Sequence, residues 1–138
     1  MNELSAKQLQ KYSKYSVPQL IKLAEKYFNR YIRQRDSDGD YFTCISCQKA
    51  KPASSMHAGH YMSAGHNASV RFSEDNVNGQ CIACNTHLHG NLIRYRENLV
   101  KKIGIEKVEL LEAISRVAHK WDRTGLVFAI ETYKAKCK

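Results

Sequence analysis

Two short cysteine pairs constrain this chain more than any other feature. Cys44-Ile-Ser-Cys47 and Cys81-Ile-Ala-Cys84 each hold two thiols two residues apart, with 33 residues between the pairs. Two intervening residues let both sulfurs of a tight turn reach one ion, and two such turns supply tetrahedral sulfur coordination. Soft thiolates select zinc over magnesium or calcium. An iron–sulfur cluster, a redox dithiol or buried free thiols would use the same residues. A redox pair, however, needs only one such motif, and no thioredoxin-like βαβ pattern surrounds either. We therefore expect a structural zinc held by Cys44, Cys47, Cys81 and Cys84. The gap exceeds that of a simple zinc ribbon, so a further substructure is expected between the knuckles. The fifth cysteine, Cys137, is left unpaired in a basic tail.

Charge sharpens this picture. The 138 residues carry 22 Lys and Arg against 13 Asp and Glu, a formal net charge of +9. Residues 1–35 hold a net +6 and residues 91–138 a net +5, whereas residues 36–90 hold a net −2. That centre also contains five of the six histidines, His57, His60, His66, His87 and His89. A cation-binding middle between basic arms suits a metal-dependent protein acting on nucleic acid. A solvated basic surface is the plainer alternative. No apolar run approaches the roughly 20 residues of a membrane span, and the charged N-terminus lacks a signal-peptide core. A soluble protein with no membrane partner is expected.

Residue spacing gives the elements. The first dozen residues are weakly periodic and read as a loose arm. Ser16 followed by Gln19, with Pro18 between, is a helix start. Leu20, Leu23, Ala24, Tyr27, Phe28, Tyr31 and Ile32 then recur at helical spacing to about Arg35, and the tyrosines at that spacing read as core. Asp36-Ser-Asp38-Gly-Asp40 reads as a polar turn, since Tyr41 and Cys47 stand where a calcium loop needs Gly and Glu. Short β segments are expected from Tyr41 to about residue 62, and an irregular loop over 63–75. From about Ala83 the pattern predicts a helix to Gly104. The next helix would bury Val108, Leu111, Ile114, Val117, Ala118 and Trp121, and Thr124 would cap the last. The chain reads as one domain over 1–138, with an N-terminal arm and helix (1–36), a Cys/His-rich core (41–104) and C-terminal helices (105–138).

Three further residues fit a known pattern. His60 in Met56-His-Ala-Gly-His-Tyr61, Asn76 in Glu74-Asp-Asn-Val77, and Asn85 directly after Cys84 resemble the His–Asn–Asn/His positions of HNH, or His-Me finger, endonucleases. The bracketing cysteine pairs are similar to those of the four-cysteine subgroup. Ala58-Gly-His-Tyr61, Arg71-Phe72, Gln80-Cys-Ile-Ala-Cys-Asn-Thr-His87 and Gly90-Asn91-Leu resemble more specifically the NinG/Rap recombination nucleases of lambdoid phages. The match covers roughly residues 41–105, and the chain is shorter than such proteins usually are.

The resemblance implies an α+β fold with a ββα-metal core, stapled by a structural zinc on four cysteines and surrounded by helices. It implies a metal-dependent DNA endonuclease acting on branched or Holliday-junction recombination intermediates in a bacterial host's cytoplasm. His60 would be the general base, Asn76 would tie down the loop that carries it, and Asn85 would bind magnesium or manganese. His89, four residues on, and His57 are further candidate ligands. His57 stands in for the ligand that many relatives place directly before the base, where this chain has Gly59. Arg71, His66, His87 and Arg94 are candidate DNA contacts, Arg71 equally a loop brace. Resolution of a symmetric junction favours a homodimer, although no seam is legible. The rivals are a non-catalytic zinc module that binds DNA through its basic helices, and an HNH nuclease of defence or packaging.

Overall fold

The computed structural model describes residues 4–138, an α+β chain of helices and two small antiparallel sheets. It divides into two compact units, Met1–Tyr31 with Lys120–Lys138, and Ile32–His119. No described helix is long and apolar enough to cross a membrane.

Helical spacing organises the first unit. Of the expected loose arm, residues 1–3 lie outside the described residues, and the rest is ordered: Ser5 and Gln8 close a capping box on helix α1, Ala6–Lys11. Reciprocal capping overcomes weak periodicity here, because both bonds satisfy backbone donors that a helix start leaves open. Helix α2 spans Val17–Asp36, and Ser16 and Gln19 form the box expected at its start. Leu20, Ala24 and Phe28 are fully buried along one face. The chain's last helix, α5 (Arg123–Lys136), buries Leu126, Val127, Ala129, Ile130 and Tyr133. Phe28 meets Tyr133 edge-on at 4.8 Å. Asp122, not Thr124, caps α5: the Asp122 carboxylate accepts from Gly125 N at 2.7 Å.

The second unit begins in the last turn of α2. Arg35 donates to the carbonyls of Glu74 and Val77, and Asp36 accepts from Gly79 N at 2.8 Å. Strand β1 (Tyr41–Thr43) pairs with β2 (Ala50–Pro52), and β3 (His57–His60) pairs with β4 (Val77–Gln80). Single 3₁₀ turns at Ala68–Val70 and Glu74–Asn76 punctuate the loop between β3 and β4. Beyond β4, the helix expected over 83–104 is broken. A π-helical turn covers Ala83–His87, His89, Gly90 and Asn91 adopt left-handed φ of 50°, 94° and 44°, and helix α3 covers Leu92–Ile103. The cause lies in the turn after the second knuckle, where Gly90 N bonds Cys84 O and the chain reverses. Gly104, at φ 92°, ends α3 as expected. Helix α4 (Ile105–Ser115) buries Val108 and Leu111 but stops short of the apolar pattern that continues it in sequence. Ile114 and Val117 are exposed, and Val117, Ala118 and Trp121 lie beyond its end. Tyr95, Leu99, Val108, Leu111, Ile45 and Val70 form one core cluster of this unit, and Phe42, Met56 and three of the cysteines form another.

Candidate functional site

Both knuckles lie at the ends of strands. The first turns back on itself as Gln48 N bonds Cys44 O, with Gln48 at φ 61°, and Ile45 N bonds Gly79 O of β4. The second follows β4 directly, where Asn85 N bonds Cys81 O. The four sulfurs come within 4.8 Å of one another, and Cys47 Sγ lies 3.9 Å from Cys81 Sγ. Tetrahedral zinc with Zn–S near 2.3 Å would set its sulfurs about 3.8 Å apart. The four cysteines could therefore hold a metal ion, compatible with zinc. Burial pushes the Cys44 thiol up, and pushes the Cys84 thiol up to about 12. An ion that binds thiolates has to displace those protons, and so couples its binding to pH.

Gln80 links the knuckles to the β3–β4 hairpin. Its amide donates to Ser46 Oγ in the first knuckle and to Gly90 O after the second. The carbonyl end fills the space beside Gly59, where a β-carbon would overlap Gln80 Oε1. The glycine before His60 thus has a steric reason: the neighbouring strand occupies its side-chain slot.

His60 ends β3 half-buried. Its Nε2 lies 2.9 Å from Arg71 O. A carbonyl only accepts, so in the neutral ring Nε2 carries the proton and Nδ1 is left as the basic nitrogen. Burial holds the His60 pKa below the ordinary histidine value, against the opposing pull of the Arg71 carbonyl. The segment around it is fixed from several sides. Tyr61 N bonds Asn76 O, and the buried Asn76 side chain accepts from Met62 N at 2.8 Å. The same amide donates to the carbonyls of Met62 and Val70. Tyr95, fully buried, donates to Gly59 O at 2.7 Å and receives Asn78 Nδ2 at 3.2 Å. The Tyr61 hydroxyl, pushed up to about 12 by burial and by Glu112, donates to Glu112, which Arg96 grips with two nitrogens.

His57 and Asn85 are brought together, with His57 Nδ1 and Asn85 Nδ2 2.9 Å apart. Asn85 and His89 do not share a helix face, because His89 is exposed in the left-handed turn beyond the π-helical residues. Arg71 bends back on its own loop, toward Ala64 O at 3.4 Å and over the Phe72 ring. His66, His87 and Arg94 are exposed. Among the described residues, the cysteines form the one group of three or more His, Cys, Asp or Glu able to share a metal. His57 and Asn85 offer an imidazole and an amide but no carboxylate, the group by which magnesium is usually held beside phosphate and water. The amide oxygen suits magnesium or manganese, whereas the imidazole favours nickel or zinc. Sequence reasoning assigns no role to Gln80, Tyr95 and Glu112. Only the fold reveals that the Tyr95 hydroxyl reaches the Gly59 carbonyl.

A family model described as "Bacteriophage Lambda NinG protein" matches residues 2–138. The "Protein ninG" of Salmonella phage P22 is 40% identical over 118 residues, 86% of this chain and 56% of that protein. Those of Escherichia phage lambda and Escherichia phage 933W are each 40% identical over 101 residues, 73% of this chain and 47% and 48% of theirs. The chain thus spans about half the length of the curated relatives it matches. No solved structure gives a significant match.

Proposed function

Because this chain belongs to the NinG family of lambdoid phage proteins, we propose that it is a metal-dependent DNA endonuclease with a ββα-metal core, cutting phosphodiester bonds in branched recombination intermediates. The observation that carries the reading is the state of His60. One ring nitrogen is spent on the Arg71 carbonyl, the other is a free base, and burial favours the neutral ring at neutral pH. That is what a general base for water requires. A divalent cation held at Asn85 and His57 would supply charge stabilisation at the scissile phosphate. His60 takes the proton from water at Nδ1, and its Nε2–H bond keeps the ring oriented through the transfer. Asn76 and Tyr95 hold the backbone on either side of it, so the base is pre-positioned rather than recruited. Asn85 and His57 are the residues that would hold that ion, through an amide oxygen and an imidazole nitrogen.

A second reading has an observation of its own. The direct His57–Asn85 hydrogen bond is also what a non-catalytic zinc module would use to brace its knuckle. One experiment separates the two: incubation with linear duplex, flap and four-way-junction DNA, with Mg²⁺ or Mn²⁺. Parent protein should cleave, junctions fastest, and His60→Ala should lose ~10²–10⁴-fold in rate with DNA binding retained. Asn85→Ala should be partly rescued by more Mn²⁺, which His60→Ala should not. Absence of cleavage by the parent protein with either metal would leave the zinc module, and cleavage by His60→Ala at the parental rate would sink the reading of His60 as the base.

A further inference from the structure

In the helical unit, α2 carries Lys22, Lys26 and Arg30 at four-residue spacing, all exposed. Such a stripe runs about 12 Å along a helix, the axial length of three to four phosphates on one DNA strand at about 3.4 Å each. The end of α5 adds Lys134 and Lys136 beside it. Lys26 Nζ, the Arg30 guanidinium and Lys134 Nζ all converge on the Tyr27 ring, at 5.5, 5.4 and 5.8 Å. Lys136 Nζ lies 5.2 Å from the rings of both Tyr31 and Tyr133. Tyr27 and Tyr31 are therefore not the core residues that their spacing suggests. They stand half-buried at the edge of the apolar face, where Phe28 takes the interior place.

We propose that this surface, Lys26, Arg30, Lys134 and Lys136 seated on Tyr27 and Tyr31 with Lys22 one turn earlier on α2, docks the phosphate backbone of duplex DNA. The choice of DNA as the polyanion rests on the nuclease reading; the surface itself does not. Three cations around one ring repel one another, and an anionic strand relieves that repulsion. The rings hold the cations by cation–π attraction and reduce the freedom they would lose on binding. Carboxylates are scarce alongside: Glu25 is the sole acid of α2 within residues 17–31. Glu131, the sole acid of α5, is turned to Lys11 at 3.6 Å and to the Tyr12 hydroxyl at 3.1 Å. An anionic membrane is the less suitable partner, because surface helices that bind membranes insert large apolar side chains. Among the described residues of this unit, only Tyr15 and Phe128 of that kind are exposed.

The test is binding of the full chain to a linear duplex across salt concentrations, without divalent metal so that nothing is cut. Lys26→Gln/Arg30→Gln/Lys134→Gln should flatten the slope of log K against log salt by about 2–3, near 0.9 for each phosphate no longer neutralised. Lys49→Gln/Lys51→Gln/Lys107→Gln removes the same charge from the other unit and should flatten it by less than about 1. Lys26→Arg/Lys134→Arg should keep the parental slope. Equal flattening in both triple variants, or none in the first, would overturn the docking surface, as would stronger patch-dependent binding to anionic phospholipid vesicles than to DNA. The two proposals fail separately. Flattened binding in a protein that never cuts leaves the surface standing without the nuclease, and parental cutting and binding by the first variant does the reverse.

Discussion

The helical unit and the central unit become fixed by different means. In the first, Leu20, Ala24 and Phe28 of α2 are buried along one face, Phe28 against Tyr133 of α5, and stability grows with the area each side chain removes from water. In the second, strands are three or four residues long, and Ser46, Asn76, Asn78 and Gln80 are buried among the apolar groups. Such strands are too short to persist alone. A web of side-chain hydrogen bonds holds them, beside four thiols placed where they could share a metal ion. Apolar burial is graded, losing a little with each atom removed. A metal site or a satisfied polar network fails nearly as a whole.

Metal removal is the largest expected break in that contrast. Structural zinc contributes on the order of 10 kcal/mol to folding in small modules. Chelation, or Cys84→Ser, should abolish protection against hydrogen exchange between Phe42 and Asn91, while α5 keeps much of its own. The measurement is exchange by mass spectrometry, with zinc counted in the same sample. Equal loss in α5 would show that both units depend on the metal alike.

Phe28→Ala addresses the other side. Emptying a fully buried phenylalanine site costs about 3–5 kcal/mol, here against Tyr133. The denaturation midpoint should fall steeply, yet the refolded protein should still bind zinc at the parental ratio. Zinc lost along with stability would contradict the separation.

That contrast also explains what can be read from sequence. The α2 helix, its Ser16 cap and the Gly104 stop follow from period and capping, which are local properties of the chain. The same local logic fails for Val117, Ala118 and Trp121, where apolar spacing continues past the end of α4. In the centre, cysteine spacing is legible because metal coordination imposes it. The break at His89 is not, because it depends on Gly90 N reaching Cys84 O after the second knuckle has closed. Nor can any pattern announce that Gln80 fills the slot of Gly59, since the two meet across paired strands. His60, Asn76 and Asn85 stand out only by resemblance, and the bond from His60 to Arg71 O arises from the folded loop.

Asn76→Ala should come next in size. It strips one acceptor and two donors from the backbone of the loop between Met62 and Val70. A buried group left without a partner costs about 1–3 kcal/mol, with relief where water enters. The loss should appear as a lower denaturation midpoint and as faster exchange at Met62. If the variant is as stable as the parent, the polar network contributes less to this unit than its burial implies.

The smallest effect isolates one side chain, through pH. Burial lowers the His60 pKa in the folded chain, and the bond to Arg71 O only partly opposes it. An unfolded histidine titrates near 6.5. Just below that pH the unfolded chain therefore binds a proton that the folded chain refuses, and stability rises with pH. The contribution of the neutral ring is present above about pH 6.5 and is lost as the pH falls through the lower folded value. His60→Gln keeps a donor for Arg71 O and cannot titrate. Stability measured from pH 5 to pH 8 should therefore fall more in the parent than in the variant on the acid side, and run parallel to it above neutrality. The divergence should be confined to the central unit, visible as acid-induced exchange around Arg71 and absent from α5. Should parent and variant keep the same spacing throughout, the ring is not held neutral by the fold. The feature that most favours His60 as a base would then be gone.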